Sequence, residues 1–442
     1  MMASDRARKP RVLLIPDRTQ WILGTMAREI ERWNPDHDFY VVSQPMIIKN
    51  PGRFKDAARS FDIVHHLNQY EYEYIRPVIG KERVSVMSVH HVVDWERVSS
   101  CKEHDAVMTA SGEWADVILG RGVPSSKVCL VPYGVDSSLF RPFENSRKER
   151  IRRSLGLLKH AFVIGFFSSI LSNEKDRKGV DVFLESLRAI ARSCPRVSFL
   201  VVGPGWRSVV KDAKKAGIRV VNVGFVENTR MPFYYNALDV YWITSRIEGG
   251  PVPLLEAMSC GIPVISTPVG MARDIVTDGN NGFIFPKGDV SGFVSKSLEL
   301  FELPVLARRI GEAGRDTVVS NHQWKELSST IPRLYSAAMA NAAVSKVPRS
   351  TGVPIEATFM GKDELIAGEE IVFARDLSGM GEGSRALAAY LRAAGRRPSL
   401  LMTVLAEILT RLVWGPVVRV SRRVARELLD LPGKISRGHH ES

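Results

Sequence analysis

Two glutamates, Glu248 and Glu256, are separated by seven residues in the stretch TSRIEGGPVPLLEAMSCGIPVISTPVGMARDIVTDGNNGFIF at 244–285. Between them stand Gly249 and Gly250, then a helix predicted to start around Pro253. Glycines let a backbone approach a ligand closely. A helix start offers unpaired N–H groups and the positive end of a dipole, which suits a diphosphate. Glu248, in the loop before the helix, can reach sugar hydroxyls on one side, and Glu256, turned inward, can grip ribose hydroxyls on the other. Two carboxylates that only accept hydrogen bonds are what a polyol ligand requires.

Such a loop must be held by a strand before it and a helix after it, and the chain supplies both in series. Short apolar runs occur at 11–15, 38–43, 62–67, 83–91, 106–111 and 127–134, with helical spacing at 21–33 between the first two. A second series runs through 161–169, 197–205, 219–226, 238–245, 263–270 and 282–285, with helical stretches at 179–193 and 252–260. Apolar runs alternating with helices predict parallel strands covered on both faces. Ligands in such sheets bind beyond the carboxyl ends of the strands. The expected fold class is α/β: two doubly wound, Rossmann-like domains facing across a cleft, plus a C-terminal helical extension. The boundaries read as 10–145 for the first domain and 155–320 for the second. A helix at 321–345 returns to the first domain. A linker follows at 346–384, then a basic amphipathic helical tail at 385–442.

The bulk numbers narrow the class. Of 442 residues, 45% are hydrophobic and 25% charged, which excludes a long disordered protein, and the net charge of +13 suits an anionic partner. Cys101, Cys129, Cys194 and Cys260 form no CxxC pair, which argues against zinc and disulfide frameworks and fits a reducing compartment. No window holds about 18 uncharged apolar residues, so a spanning helix is not expected. The apolar run near the N-terminus stops at Pro16-Asp17-Arg18, too soon for a signal peptide. The expected location is cytoplasmic, or peripheral on the inner face of the membrane.

The E-x7-E pair, set in EGG–P–LLEAM–CG–PV and followed by DGNNGF, resembles the fourth glycosyltransferase family (glycosyl transferases group 1). That family comprises retaining enzymes of the GT-B fold that use nucleoside diphosphate sugars. The resemblance spans roughly residues 10–340. VPYGVD at 131–136 and Phe140-Arg141-Pro142 resemble the segment entering the interdomain linker, with Tyr133 where Asn is usual. Arg177-Lys178-Gly179 resembles the Lys-Gly segment, which implies that Lys178 contacts the donor phosphates. VGFV at 223–226, followed by Tyr234-Tyr235, resembles the stretch whose backbone meets the base, which brings in Val226. A histidine at the end of a first-domain strand faces the donor sugar in the family. His90 is the positional match and His91 its neighbour, and only one should enter the cleft because successive residues of a strand face opposite ways.

Three departures stand out. The Arg expected after the first strand of the second domain is Ser169, which puts the phosphate clamp in question; Arg177 and Arg246 are the candidate substitutes. Only Gly24 stands where a near Gly-Gly loop precedes the first helix. Asp274 replaces a commoner Glu, a change expected to matter little.

The expected function is transfer of a sugar from a nucleoside diphosphate donor to a hydroxyl acceptor with retention, in cell-surface glycan or glycolipid synthesis. Glu248 holds the sugar, Glu256 the ribose and Lys178 the departing diphosphate, with amides near Leu254 and Leu255 on the phosphates and His90 on the sugar. No DxD arrangement follows a strand, so no metal and no other cofactor is expected, and the nucleotide sugar enters as co-substrate. The partners would be that donor and a glycan or lipid-linked acceptor. Two other readings fit the same residues: an epimerase or hydrolase working on nucleotide sugars, and a silent nucleotide-sugar-binding scaffold, which Ser169 favours.

The tail carries ten arginines and one lysine against four acidic residues over 385–442. Pro398–Val420 is apolar, with Glu407 and Arg411 at ion-pair spacing and Trp414 after them. It suits either an anionic membrane surface or the flank of a protein body. Nucleic-acid binding ranks last, since no recognition motif accompanies the charge.

Overall fold

The computed structural model describes residues 8–70, 72–79, 83–171, 174–344, 362–379 and 382–397. Among these residues twelve strands form two parallel sheets. The first contains β1 (Arg11–Ile15), β2 (Asp38–Val41), β3 (Ile63–His66), β4 (Val84–Ser88), β5 (Ala106–Thr109) and β6 (Val128–Leu130) in the order β2-β1-β3-β4-β5-β6. The second contains β7 (Phe162–Phe167), β8 (Val197–Val202), β9 (Val220–Asn222), β10 (Val240–Ile243), β11 (Val264–Ser266) and β12 (Phe283–Ile284) in the order β12-β11-β10-β7-β8-β9. Every run predicted as a strand is one, trimmed at its ends. The cause is burial on both faces: Val12, Leu13, Leu14 and Ile15 are all fully inaccessible, as are Ile164, Phe199, Leu200 and Val201. A strand of that kind reads as a continuous apolar run.

The order reverses beside β7, whose neighbours are β8 and β10. The carboxyl ends of β7 and β10 therefore lie side by side at a switch point, the place where open α/β sheets take ligands. Ser168-Ser169 follows one strand and Thr244–Gly250 the other.

Two chain segments join the domains. The segment after β6 leads to the helix Asn145–Ser154, whose Arg152 pairs with Asp239 of the second domain at 2.7 Å. The helix Pro304–Asn321 ends the outbound path, and the helices Trp324–Ser328 and Ile331–Val344 return to the first domain. Ile331–Val344 packs on β4 and β5, with Tyr335 Oη 3.1 Å from His65 Nδ1 and Asn341 Nδ2 donating to the Asp105 carbonyl at 2.9 Å. The joining segments touch where Val135 bridges Gln323, and Gly134 has no room for a Cβ against the Trp324 amide, 2.7 Å away.

Gly24 lies inside the helix Ile22–Trp33, where a side chain would collide with the Thr19 backbone. That glycine lets the loop after β1 fold down onto the first turn of the helix.

The linker expected at 346–384 needs correction. Residues 362–379 are a helix, Lys362–Gly379, and the helix Gly383–Arg396 follows it. The glycines and prolines that suggested a linker concentrate before 362, while KDELIAGEEIVFARDL is built of good helix formers. These two helices form a separate compact unit and pack on each other, with Arg392 forking onto Glu370 at 2.9 and 3.1 Å. Pro398–Val420, the rest of the tail and residues 345–361 lie outside the described residues. Among the described residues no helix is long and apolar enough to cross a membrane.

Candidate functional site

The site begins at Gly179. Its φ of +62° lies in the left-handed region that only glycine enters freely, and a Cβ there would sit 2.0 Å from the Thr244 carbonyl oxygen. The bend starts the helix Val180–Ser193 and lays Arg177-Lys178 along the loop after β10. Backbone and hydroxyl bonds stitch the two segments together: Arg246 N–H donates to the Arg177 carbonyl at 2.8 Å, and Thr244 Oγ1 donates to the carbonyls of Lys178 and Gly179 at 3.0 Å each.

Glu248 is at the centre. Its Oε1 accepts from Lys178 Nζ at 2.6 Å and from Ser245 Oγ at 2.7 Å, and its Oε2 accepts from Arg177 Nη1 at 3.1 Å. Burial alone would push this carboxyl up, but Lys178 and Arg177 outweigh it and hold the group down at about 2. Arg177 also grips Glu174, donates to the Ile247 carbonyl at 3.1 Å, and keeps a buried Nε with no protein partner. Arg246 points elsewhere, forked on Asp181 at 2.8 and 2.6 Å. Of the two candidate replacements for the cation missing at Ser169, only Arg177 belongs to the Glu248 cluster.

Glu256 lies in the helix Val252–Ser259, fully buried. Asn228 Nδ2 donates to its Oε1 at 2.8 Å and Tyr235 Oη to its Oε2 at 2.7 Å. Burial raises the carboxyl to about 7, against the pull of both donors. Asn228 was not anticipated; it follows the short β9, close to Val226, which is half-buried against the core. The side chains of Leu254 and Leu255 are wholly in the core, so these residues can meet a ligand only through their backbone. The Leu254 N–H donates to the Pro251 carbonyl at 2.7 Å.

Gly249 and Gly250 are needed for close approach. A Cβ on Gly249 would lie 2.3 Å from the His90 carbonyl oxygen, and one on Gly250 would strike Met271 Sδ and the Tyr133 ring. The loop is thus pressed directly against the first domain.

The two histidines stand in different surroundings. His90 is buried with both ring nitrogens occupied, Nε2 against the Leu67 carbonyl and Nδ1 against Tyr133 Oη. Burial lowers it to about 4. Its imidazole is held between the interior and the joining segment. His91 is half-buried; burial lowers it to about 3, helped by the charge of Arg177 and Lys178 and opposed by Glu248. It lies in the field of the Glu248 cluster. β4 ends at Ser88, so the pleat that would decide between the two residues has already stopped.

Among the described residues no three His, Cys, Asp or Glu side chains converge as a metal-ligand set.

Residues 147–317 match the family described as Glycosyl transferases group 1. The GDP-mannose-dependent alpha-(1-6)-phosphatidylinositol monomannoside mannosyltransferase of Mycolicibacterium smegmatis is 25% identical over 344 residues, covering 74% of this chain and 83% of that protein. The lipopolysaccharide core biosynthesis mannosyltransferase LpsB of Rhizobium meliloti is 31% identical over 202 residues, 43% of this chain and 53% of that protein, so this match spans about half its length. Among solved structures, HepE of Anabaena in complex with UDP and glucose superposes with a TM-score of 0.62 at 19% identity, covering 74% of this chain and all of that one. At that identity the likeness speaks for the fold, which is GT-B.

Proposed function

We propose that this chain, a member of the glycosyl transferases group 1 family, moves a sugar from a nucleoside diphosphate donor to a hydroxyl acceptor with retention of anomeric configuration. The observation that carries the reading is the pairing of Glu248 with Lys178 and Arg177, set at the switch point of the second sheet. A nucleoside diphosphate sugar bound there would present its diphosphate to the two cations and its sugar hydroxyls to the carboxylate between them.

Glu256, with Asn228 and Tyr235, is the ribose end of the same site. A carboxylate held by two donors on one side keeps lone pairs for a vicinal diol on the other. Leaving-group departure leaves negative charge on the diphosphate, which Lys178 and Arg177 stabilise; fixed cations of this kind are the main electrostatic contribution to such steps. His91 takes the role first expected of His90, at the sugar side. We assign the acceptor to the first domain, and the activity needs no divalent metal.

The mycobacterial and rhizobial relatives are a phosphatidylinositol monomannoside mannosyltransferase and a lipopolysaccharide core mannosyltransferase, and that supports a glycan or glycolipid acceptor for this chain. A place on the cytoplasmic side of a membrane suits such an acceptor. The deciding experiment is thermal-shift binding of UDP, GDP, dTDP and ADP, repeated on Glu256→Ala. A ligand at about a hundred times its dissociation constant stabilises a fold by roughly 2.7 kcal/mol. One nucleotide should stabilise the wild type and fail on the variant. No shift from any of the four would overturn the donor-site assignment.

A further inference from the structure

We infer that Glu113 and Trp114 of the first domain, together with Asp274 of the second, are positioning residues that set the Glu248 loop, so that the sugar end of the donor site is complete only when the domains are closed on each other. The inference rests on the assignment of Glu248 to the donor sugar.

The helix Gly112–Gly120 follows β5 in the first domain, and its first turn meets the second domain through three hydrogen bonds that run in both directions. Gly112 N–H donates to Asp274 Oδ2 at 2.9 Å. Gly270 N–H donates back to Glu113 Oε2 at 2.7 Å. Trp114 Nε1 donates to the main-chain carbonyl of Glu248 at 2.7 Å, and that indole is buried, with 6% of the residue exposed. Each domain thus supplies a carboxylate to a backbone amide of the other, and the tryptophan beside them fixes the peptide carrying the carboxylate.

Packing makes the contact specific. The Glu248–Gly250 loop is caught between the His90 carbonyl of the first domain and Gly270 of its own domain. Gly270, at a φ of +46°, has Gly249 O where its Cβ would be, 2.1 Å away. Met271 N–H takes the Gly249 carbonyl at 3.3 Å. With the Glu248 carbonyl held by Trp114 and the Gly249 carbonyl by Met271, the peptide planes on both sides of Gly249 are fixed, and so is the direction of the Glu248 side chain. Separation of the domains removes the indole and leaves the Glu248 carbonyl to find water, so the peptide carrying the carboxylate loses its anchor while Lys178, Arg177 and Ser245 of the second domain still hold the carboxylate itself.

The test uses the full chain and two variants, Trp114→Phe, which keeps the aromatic bulk and loses only the N–H, and Glu113→Gln with Asp274→Asn. Hydrogen–deuterium exchange should rise about fivefold or more in the segment 247–252 of both, as expected when a buried carbonyl loses its donor. Exchange in the helix Ile22–Trp33 should stay unchanged. With UDP-glucose and GDP-mannose as probes, Trp114→Phe should lower kcat for nucleotide release by about tenfold. Binding of UDP or GDP alone should move by less than about twofold, because the nucleotide end is not touched. A merely structural tryptophan would lower thermal stability and nucleotide affinity together. Unchanged exchange in 247–252 in both variants would overturn the inference. Should neither UDP nor GDP bind the wild type, the donor assignment fails, and the exchange result still decides the contact between the domains.

Discussion

Lys178 Nζ lies 2.6 Å from Glu248 Oε1, so the cation assigned to the diphosphate and the carboxylate assigned to the sugar are each other's partners. A diphosphate that binds Lys178 takes over part of this pairing and frees one oxygen of Glu248 for a sugar hydroxyl. Cation and carboxylate act as one unit, and their substitutions will not add.

Lys178→Ala should lower kcat by about 10²–10³, the usual loss when one fixed donor to a developing negative charge is removed. Glu248 keeps Arg177 and Ser245 in that variant, so the fold should survive. Steady-state rates with the donor found by the thermal-shift screen, and a melting curve, check both halves. Activity within threefold of wild type would remove Lys178 from the diphosphate.

Glu256 predicts a pH dependence of nucleotide binding. Its carboxyl titrates at about 7, and the ionised form is the better acceptor for ribose hydroxyls. Affinity should therefore rise with pH through that region and weaken by up to roughly tenfold per unit of pH below it. The nucleotide's own phosphate also titrates nearby, so Glu256→Gln is the control. Calorimetry between pH 5.5 and 8.5 (~3 units) should show a slope in the wild type that is much reduced in the variant. Equal slopes would assign the effect to the phosphate.

The buried histidines of the first domain predict acid sensitivity. His65 and His66 are lowered to about 3 by burial, and His104 is lowered well below its ordinary value by burial and then by His66. Each is neutral when folded and takes a proton when unfolded below about 6.5, so its contribution is complete above that pH and is lost as pH falls toward the folded value. The loss is about 1.4 kcal/mol per pH unit for each such group. Both ring nitrogens of His104 are buried without a partner, so His104→Phe should cost little at pH 7 and flatten the slope. Urea unfolding at pH 7, 6 and 5 measures this (~1 unit apart). Stability that holds level down to pH 5 (about 1.5 units below the unfolded histidine value) would refute it.

Much of this was legible in the chain. Strands buried on both faces declare themselves as apolar runs, and Gly249-Gly250 between two glutamates marks a loop built for close approach. What stayed hidden was tertiary. Nothing near His90 announces that Tyr133, 43 residues on, takes its Nδ1. Asp274 looked like a minor variant until the structure set it on the Gly112 amide, 162 residues away. Glu256 has an ordinary sequence context, and its raised carboxyl comes from burial beside Tyr235 and Asn228. The helix Lys362–Gly379 was concealed by averaging its residues with the glycines and prolines before it.

Arg177 and Arg246 should respond differently to substitution. Ser169 stands where the family places a phosphate-binding Arg, and either residue was a candidate to replace it. Arg246 is forked on Asp181 at the surface, and exposed pairs of this kind contribute little. Arg246→Gln should leave kcat and nucleotide affinity within about threefold of wild type. Arg177 is turned into the cluster, bonded to Glu248, with its buried Nε lacking a protein partner. Arg177→Gln should lose about tenfold or more in affinity for a nucleoside diphosphate, and less for the corresponding nucleoside, which has no phosphate for the guanidinium to hold. Equal losses for both ligands would mean that Arg177 only supports Glu248 and that the clamp rests on Lys178 alone.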